Sequence, residues 1–320
     1  MVAASRPRFF TVSLLASVVA TSMTFGQLDP TRVSDAVSRP SGPTIGESQN
    51  LSAIGLDEQN NFAPATPGDS DIGQQLILKE VPKNRWFRAY ADAFGYWTNN
   101  AANTSVGEVD DWFWGGRVGF GYQPRIAKKL FADIDVQQQM YRYDKFEALD
   151  FESLDASAGL LYIEPKLAST IFFIQGNYNR ISNDDFGNEL LNSVSIRAGA
   201  QKLFLIDRRN SIQVTLMGDW DIYTDLDRLE RHEYIGDVTY RFKIMRDLVF
   251  ALNYRYVWLD YQQVDRGDSL NIIGGSLTWS PKKWIDVYAT SNFSFNDSNI
   301  DAFDYETTAL GGGVGVKVKF

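Results

Sequence analysis

The chain has 320 residues, 22% of them charged, with 40 Asp and Glu against 31 Lys and Arg, 1 His and 0 Cys. The formal net charge of -9 excludes a basic surface for nucleic acid, and the lack of Cys excludes both a disulfide framework and a thiolate metal site. A mean hydropathy of -0.25, with no long apolar run after the first residues, excludes a helical membrane bundle. Even so, 14% of residues are aromatic, which suits a membrane barrel in which only every second residue meets lipid.

In chain order, residues 1–26 read as a removable secretory signal. Arg6 and Arg8 precede an apolar run from Phe9 to Ala20, and small residues follow as far as Gln27. The run is shorter than the roughly 20 residues that span a bilayer, and no Cys offers a lipid anchor. Residues 27–83 are rich in Pro, Ser, Gly, Asn, Asp and Gln, with apolar residues mostly single. Such a segment buries too little to offset its ordering entropy, so it is expected as a disordered periplasmic tail. A plug folded into a pore, or a docking tail for a periplasmic partner, competes with that reading.

Residues 84–320 change character. Period-two alternation predicts strands near 86–97, 112–123, 129–142, 153–164, 169–180, 192–204, 211–223, 233–244, 248–260, 269–279, 284–296 and 308–320. Two kinds of connection alternate between them. QPRIAKK, EPKLAS, LIDRRNS, MRD and SPKKW are compact and basic; TNNAANTSVGEVDD, DKFEALDFE, ISNDDFGNE, TDLDRLERHE, QQVDRGD and DSNIDAFDYE are longer and acidic. Short periplasmic turns and long extracellular loops are how transmembrane barrels are built. The expected fold is therefore all-β, a single closed antiparallel transmembrane β-barrel of about 12 strands.

Alternation also assigns faces. Leu310, Gly312, Val314, Val316, Val318 and Phe320 share one side of the last strand, opposite Lys317 and Lys319. A Lys or Arg on the lipid face at mid-membrane would cost about 2–4 kcal/mol. Trp97, Trp112, Trp114, Tyr143, Trp258 and Phe295 are expected in the outer aromatic girdle, and Tyr122, Tyr162, Phe204, Trp279 and Trp284 in the inner one.

The C-terminal VGVKVKF, with Gly315, Val318 and Phe320, resembles the assembly signal of Gram-negative outer-membrane barrels. That resemblance implies outer-membrane lipid as surroundings and the barrel-insertion machinery as a partner. The broader similarity to porin-like barrels covers about residues 84–320, without a specific characterised family.

Inward charges expected to line a pore are Arg88, Asp92, Arg117, Asp133, Asp135, Arg197, Asp219, Asp237, Arg241, Arg255, Asp286 and Lys317. With Asp155, Asp221, Lys243 and Lys319 the signs balance. Acidic strands facing basic ones would set a transverse field that orients polar solutes; a salt-bridged, closed interior is the alternative. The function expected is diffusion of small polar solutes with weak ion selectivity, and the rival is a structural or export barrel whose tail docks a partner. A rim acid/base site of Glu230 and His232, as in a membrane protease, has the thinner case. No spaced calcium loop appears, no cofactor is expected, and GGGVG at 311–315 falls on a strand rather than a phosphate loop.

Overall fold

The computed structural model describes residues 86–183 and 187–320. The expected signal and the 27–83 segment lie outside the described residues. The strands are β1 (Phe87–Thr98), β2 (Asp111–Tyr122), β3 (Arg125–Ala127), β4 (Leu130–Tyr143), β5 (Phe151–Glu164), β6 (Thr170–Ser182), β7 (Glu189–Leu205), β8 (Asn210–Thr224), β9 (Arg231–Met245), β10 (Leu248–Tyr261), β11 (Gly267–Lys282), β12 (Ile285–Ser298) and β13 (Tyr305–Lys319).

Each long strand pairs antiparallel with its sequence neighbours, and β1 pairs with both β2 and β13. β2 and β4 pair directly, with β3 set aside as a three-residue spur. Twelve long strands thus close into one barrel. Closure pairs each long strand with a neighbour on both sides and leaves no edge strand, as a structure surrounded by hydrocarbon requires. The seam is firm: Phe87 N donates to Phe320 O at 3.1 Å, Phe320 N donates to Phe87 O at 3.0 Å, and the two rings stack 5.7 Å apart.

Outward rows carry exposed apolar side chains: Val118 and Phe120 on β2, Ile134 and Val136 on β4, Val314, Val316 and Val318 on β13. Their inward neighbours are polar, aromatic or Gly. Trp112, Trp114, Trp258, Trp279 and Trp284 are exposed near strand ends, where an indole can meet headgroups. Tyr143 departs from the expected girdle. It faces inward, is buried, and packs 5.2 Å from Phe113. Its parity places it with Asp133 and Gln139, on the lumen side of β4.

The strands outrun their sequence-based bounds, β7 reaching 17 residues and β11 reaching 16. Pairing continues past the apolar stretch into residues such as Glu189 and Lys282, because ladder bonds hold in water as well. At the loop end of β8, Val194 pairs with Tyr223 while Ser195 pairs with Asp221. The extra residue is a β-bulge at Ile222, and both Ile222 and Tyr223 turn outward.

Candidate functional site: the barrel lumen

Alternation directs Arg88, Asp92, Arg117, Asp133, Asp135, Arg197, Asp219, Asp237, Arg241, Arg255, Asp286 and Lys317 inward, and the register brings most of them into local pairs. Arg117 faces Asp92 across the β1–β2 ladder with contacts of 3.0 and 2.6 Å. Arg197 holds Asp219 at 2.9 and 2.5 Å. Lys317 reaches Asp286 at 2.6 Å. Arg88 reaches Asp135 at 2.7 Å and lies 3.7 Å from Asp133. Arg255 meets Asp237 at 3.4 Å, with side-chain exposures of 5% and 0%. Arg241 donates to Gln213 Oε1 at 2.9 Å.

These pairings replace the expected transverse field. Most of these acids and bases sit on neighbouring strands, Arg88 and Asp135 standing one strand further apart, so the charges pair along the wall rather than across the lumen. The Asp221 carboxylate accepts from Arg231 N at 3.0 Å and from the Thr224 hydroxyl at 3.2 Å.

Arg88 spans two strands because Gly lies between. Its side chain crosses Gly121, and Tyr90 crosses Gly119, where an added Cβ would stand 2.2 Å from each. Tyr90 OH then donates to Asp135 Oδ1 at 2.9 Å. The glycines of β13 serve likewise: the space over Gly311 and Gly313 is taken by Tyr96 and Tyr288. Inward Gly here does not simply widen the lumen; it lets a neighbour lie flat along the wall.

Two register rows spiral in the sense set by the barrel's shear. One is polar and runs Lys319, Arg88, Gly121, Asp135, Ser157, Asn177, Ser195, Asp221, climbing from the turn end of β13 to the loop end of β8. The other runs Phe131, Leu161, Phe173, Gly199, Met217, Ile235, Val257, Leu270, Asn296, Tyr305, from the turn end of β4 to the loop end of β13. It is apolar apart from Gly199 and Asn296, and its other members belong to one buried cluster, with Phe131 half-buried against it.

The loop half of the lumen is also apolar. Tyr96, Phe113, Tyr141, Tyr143, Phe151, Ile181 and Leu191 are buried, and Phe146, Leu149, Leu226 and Leu229 pack on them from the loops. Tyr141 stacks on Phe151 at 4.5 Å and Tyr96 on Phe113 at 5.6 Å. Acidic loop residues hold this cover in place. Asp111 accepts Lys145 N and Phe146 N, both at 3.1 Å, Asp150 accepts Tyr143 N at 2.7 Å, and Asp304 accepts Ser298 N at 2.7 Å. Arg266 grips Asp268 at 2.9 and 2.5 Å, with its guanidinium 3.5 Å from the Phe303 ring centroid and 4.3 Å from that of Tyr261. Among the described residues no cluster of His, Asp and Glu could hold a metal ion.

Residues 231–320, spanning β9 to β13, match the family described as "Putative beta-barrel porin 2". No curated protein matches the sequence. An outer membrane channel from Pseudomonas putida F1 is similar with a TM-score of 0.53 at 10% identity, over 73% of this chain and 96% of that one. This is the fold of a porin-like outer-membrane β-barrel. The outer membrane channel DcaP of Acinetobacter baumannii gives a TM-score of 0.43 at 8% identity, over 72% of this chain and 96% of its own. The translocator domain of the autotransporter NalP from Neisseria meningitidis gives 0.40 at 12%, over 73% and 89%.

In this porin-like barrel His232 is not a loop residue. It is the second residue of β9, paired with Trp220 and Asp260 on the outward row. Its Nδ1 has no hydrogen-bond partner, while Glu230 accepts from Gln263 at 2.8 Å. The two therefore do not form the acid/base pair considered from sequence. Of the terminal motif, Gly315 faces the lumen, whereas Val318 and Phe320 face outward and are exposed.

The inward apolar row escaped the sequence reading, although a signal existed. LLYI at 160–163, IFFI at 171–174 and YVWL at 256–259 break alternation with continuous apolar residues, the mark of a strand buried on both faces.

Proposed function

We propose that this barrel passes small polar solutes across an outer membrane with weak ion selectivity. The observation that carries the reading is the turn half of the lumen, where Arg117 with Asp92, Arg88 with Asp135 and Lys317 with Asp286 form a polar, locally neutral wall that is partly open. Side-chain exposures there reach 25% at Arg117 and 40% at Lys317. Neutralised pairs offer hydrogen bonds to a solute without excluding either ion. On this reading the aromatic loop half is the resistance, and conduction requires its loops to move. No catalytic step is needed.

Refolded full-length protein in a planar bilayer should show small unit conductances with near-equal cation and anion permeability. If neither the intact chain nor a chain cut just before β1 conducts, the channel reading fails. The packed loop half then favours a structural or export barrel, whose 27–83 segment should co-purify with a periplasmic partner.

A further inference from the structure

We infer that the turn end of this barrel is a docking ring for anionic phospholipid headgroups, gripped by basic side chains while exposed apolar neighbours enter the leaflet. This contact does not depend on conduction.

Charge is handled differently at the two ends. The five turn segments, 123–129, 164–169, 205–211, 245–247 and 280–284, carry nine Lys and Arg against three Asp and Glu. Each of the three acids already has a partner. Glu164 lies 3.3 Å from Lys129 and accepts Tyr162 OH at 2.7 Å, Asp207 accepts Arg209 N at 2.6 Å, and Trp279 Nε1 donates to Asp247 at 3.2 Å. Among the described residues, Lys166, Arg208, Arg209, Arg246, Lys282 and Lys283 are exposed and their side chains have no ion pair. At the loop end, Lys145 is paired with Asp110, Arg180 with Glu189 and Arg266 with Asp268, Arg228 being the exception. Unpaired cations gathered at the turns call for anions from outside the chain.

Every turn also exposes a large apolar side chain near its cation. Ile126 follows Arg125, Leu167 follows Lys166, Ile206 stands two residues before Arg208, Met245 precedes Arg246 and Trp284 follows Lys283; these five are 51–60% exposed. Apolar surface in water is unfavourable. Apolar and basic groups side by side suit the boundary between acyl chains and headgroups.

Lys202 decides between a lipid and a protein as the occupant. It stands on the outward row of β7, paired with Val214, and its ammonium lies 4.8 Å from the centroid of the Phe204 ring, without an ion pair among the described residues. A Lys facing hydrocarbon is tolerated where its stem runs along apolar surface to the headgroup level, and the anion there is a lipid phosphate. Lys129 likewise lies 5.9 Å from the ring of the exposed Tyr162. The basic and apolar pairs recur at all five turns around the rim. A planar leaflet meets every turn at once, whereas a globular partner covers one sector.

The test reads lipid preference. Full-length protein is refolded into vesicles of phosphatidylcholine and phosphatidylglycerol with one or the other lipid brominated, and quenching of Trp fluorescence gives their relative association with the barrel. Trp279 and Trp284 are exposed at the turn end and report there. The parent should favour phosphatidylglycerol about fivefold, and the preference should vanish in roughly 1 M salt, where the Debye length is about 3 Å. Combining Arg208→Gln, Arg209→Gln, Lys282→Gln and Lys283→Gln should abolish it; none of these side chains has an ion pair, so the barrel should still form, as circular dichroism checks. Lys202→Gln alone should lower it by about half, which keeps the test decisive if the fourfold variant does not refold. Arg228→Gln, on the β8–β9 loop, should leave it unchanged. A parent without preference, a preference that survives the turn substitutions, or one lost equally in Arg228→Gln overturns the proposal. An acidic periplasmic protein as the true occupant would give the first of these results.

Discussion

The two halves of the lumen are built from the same alternating strands, yet they meet water differently. In the turn half, Arg88, Asp135, Arg117 and Lys317 keep 18–40% of their side-chain surface, while Thr215 and Thr239 on β8 and β9 are buried. In the loop half, Tyr96, Tyr141, Phe113 and Phe151 keep 1–4%. The difference comes from what closes each end. Turns such as MRD are too short to fold inward, whereas the long loops bring Phe146, Leu149, Leu226 and Leu229 onto the strands and fasten themselves with Asp111, Asp150 and Asp304. The turn half is thus partly open along β1, β2, β4 and β13, whereas the loop half is packed.

The sharpest test lies where the halves meet. Asp237→Ala removes the carboxylate 3.4 Å from the buried Arg255 guanidinium, and unfolding in urea from lipid vesicles should show a loss of about 3–5 kcal/mol. A loss below about 1 kcal/mol would mean that this pair is as hydrated as those of the turn half. Next, Phe113→Ala empties the aromatic cluster and should cost about 3 kcal/mol while raising unit conductance. An unchanged conductance would show that the loop half is not the resistance.

In the turn half the effect should shrink. Lys317→Ala removes a partly exposed partner of Asp286, which keeps the Ser280 hydroxyl at 2.6 Å. The stability change should stay within about 1 kcal/mol, and reversal potentials under a salt gradient should shift toward cations.

The smallest effect concerns a turn. Asp207 accepts Arg209 N at 2.6 Å, Asn210 N at 2.9 Å and the Asn210 side-chain amide at 2.7 Å, which holds its carboxyl below the usual carboxylate range. A depressed folded-state value means its contribution is present above the unfolded carboxylate pKa and is lost as pH falls through the folded one. Asp207→Asn should therefore unfold slightly more easily than the parent at pH 7, with the gap closing in acid. A gap that persists at the lowest pH would assign the effect to geometry rather than charge.

Sequence alone determined the strand count, the closed antiparallel order, the two classes of connection and the parity of each charged residue. Alternation is a local property with period 2, and hydrocarbon outside enforces it residue by residue. What only the tertiary structure decided is which inward residues meet. Arg88 reaches Asp135 across Gly121, Tyr143 joins the lumen aromatics instead of the membrane girdle, His232 sits on the outward row of a strand, and ten residues from β4 to β13 align into one largely apolar spiral. Those contacts depend on register and shear, which relate strands far apart in the chain. No window along a single strand contains that information, although unbroken runs such as LLYI and IFFI mark where the lumen is dry.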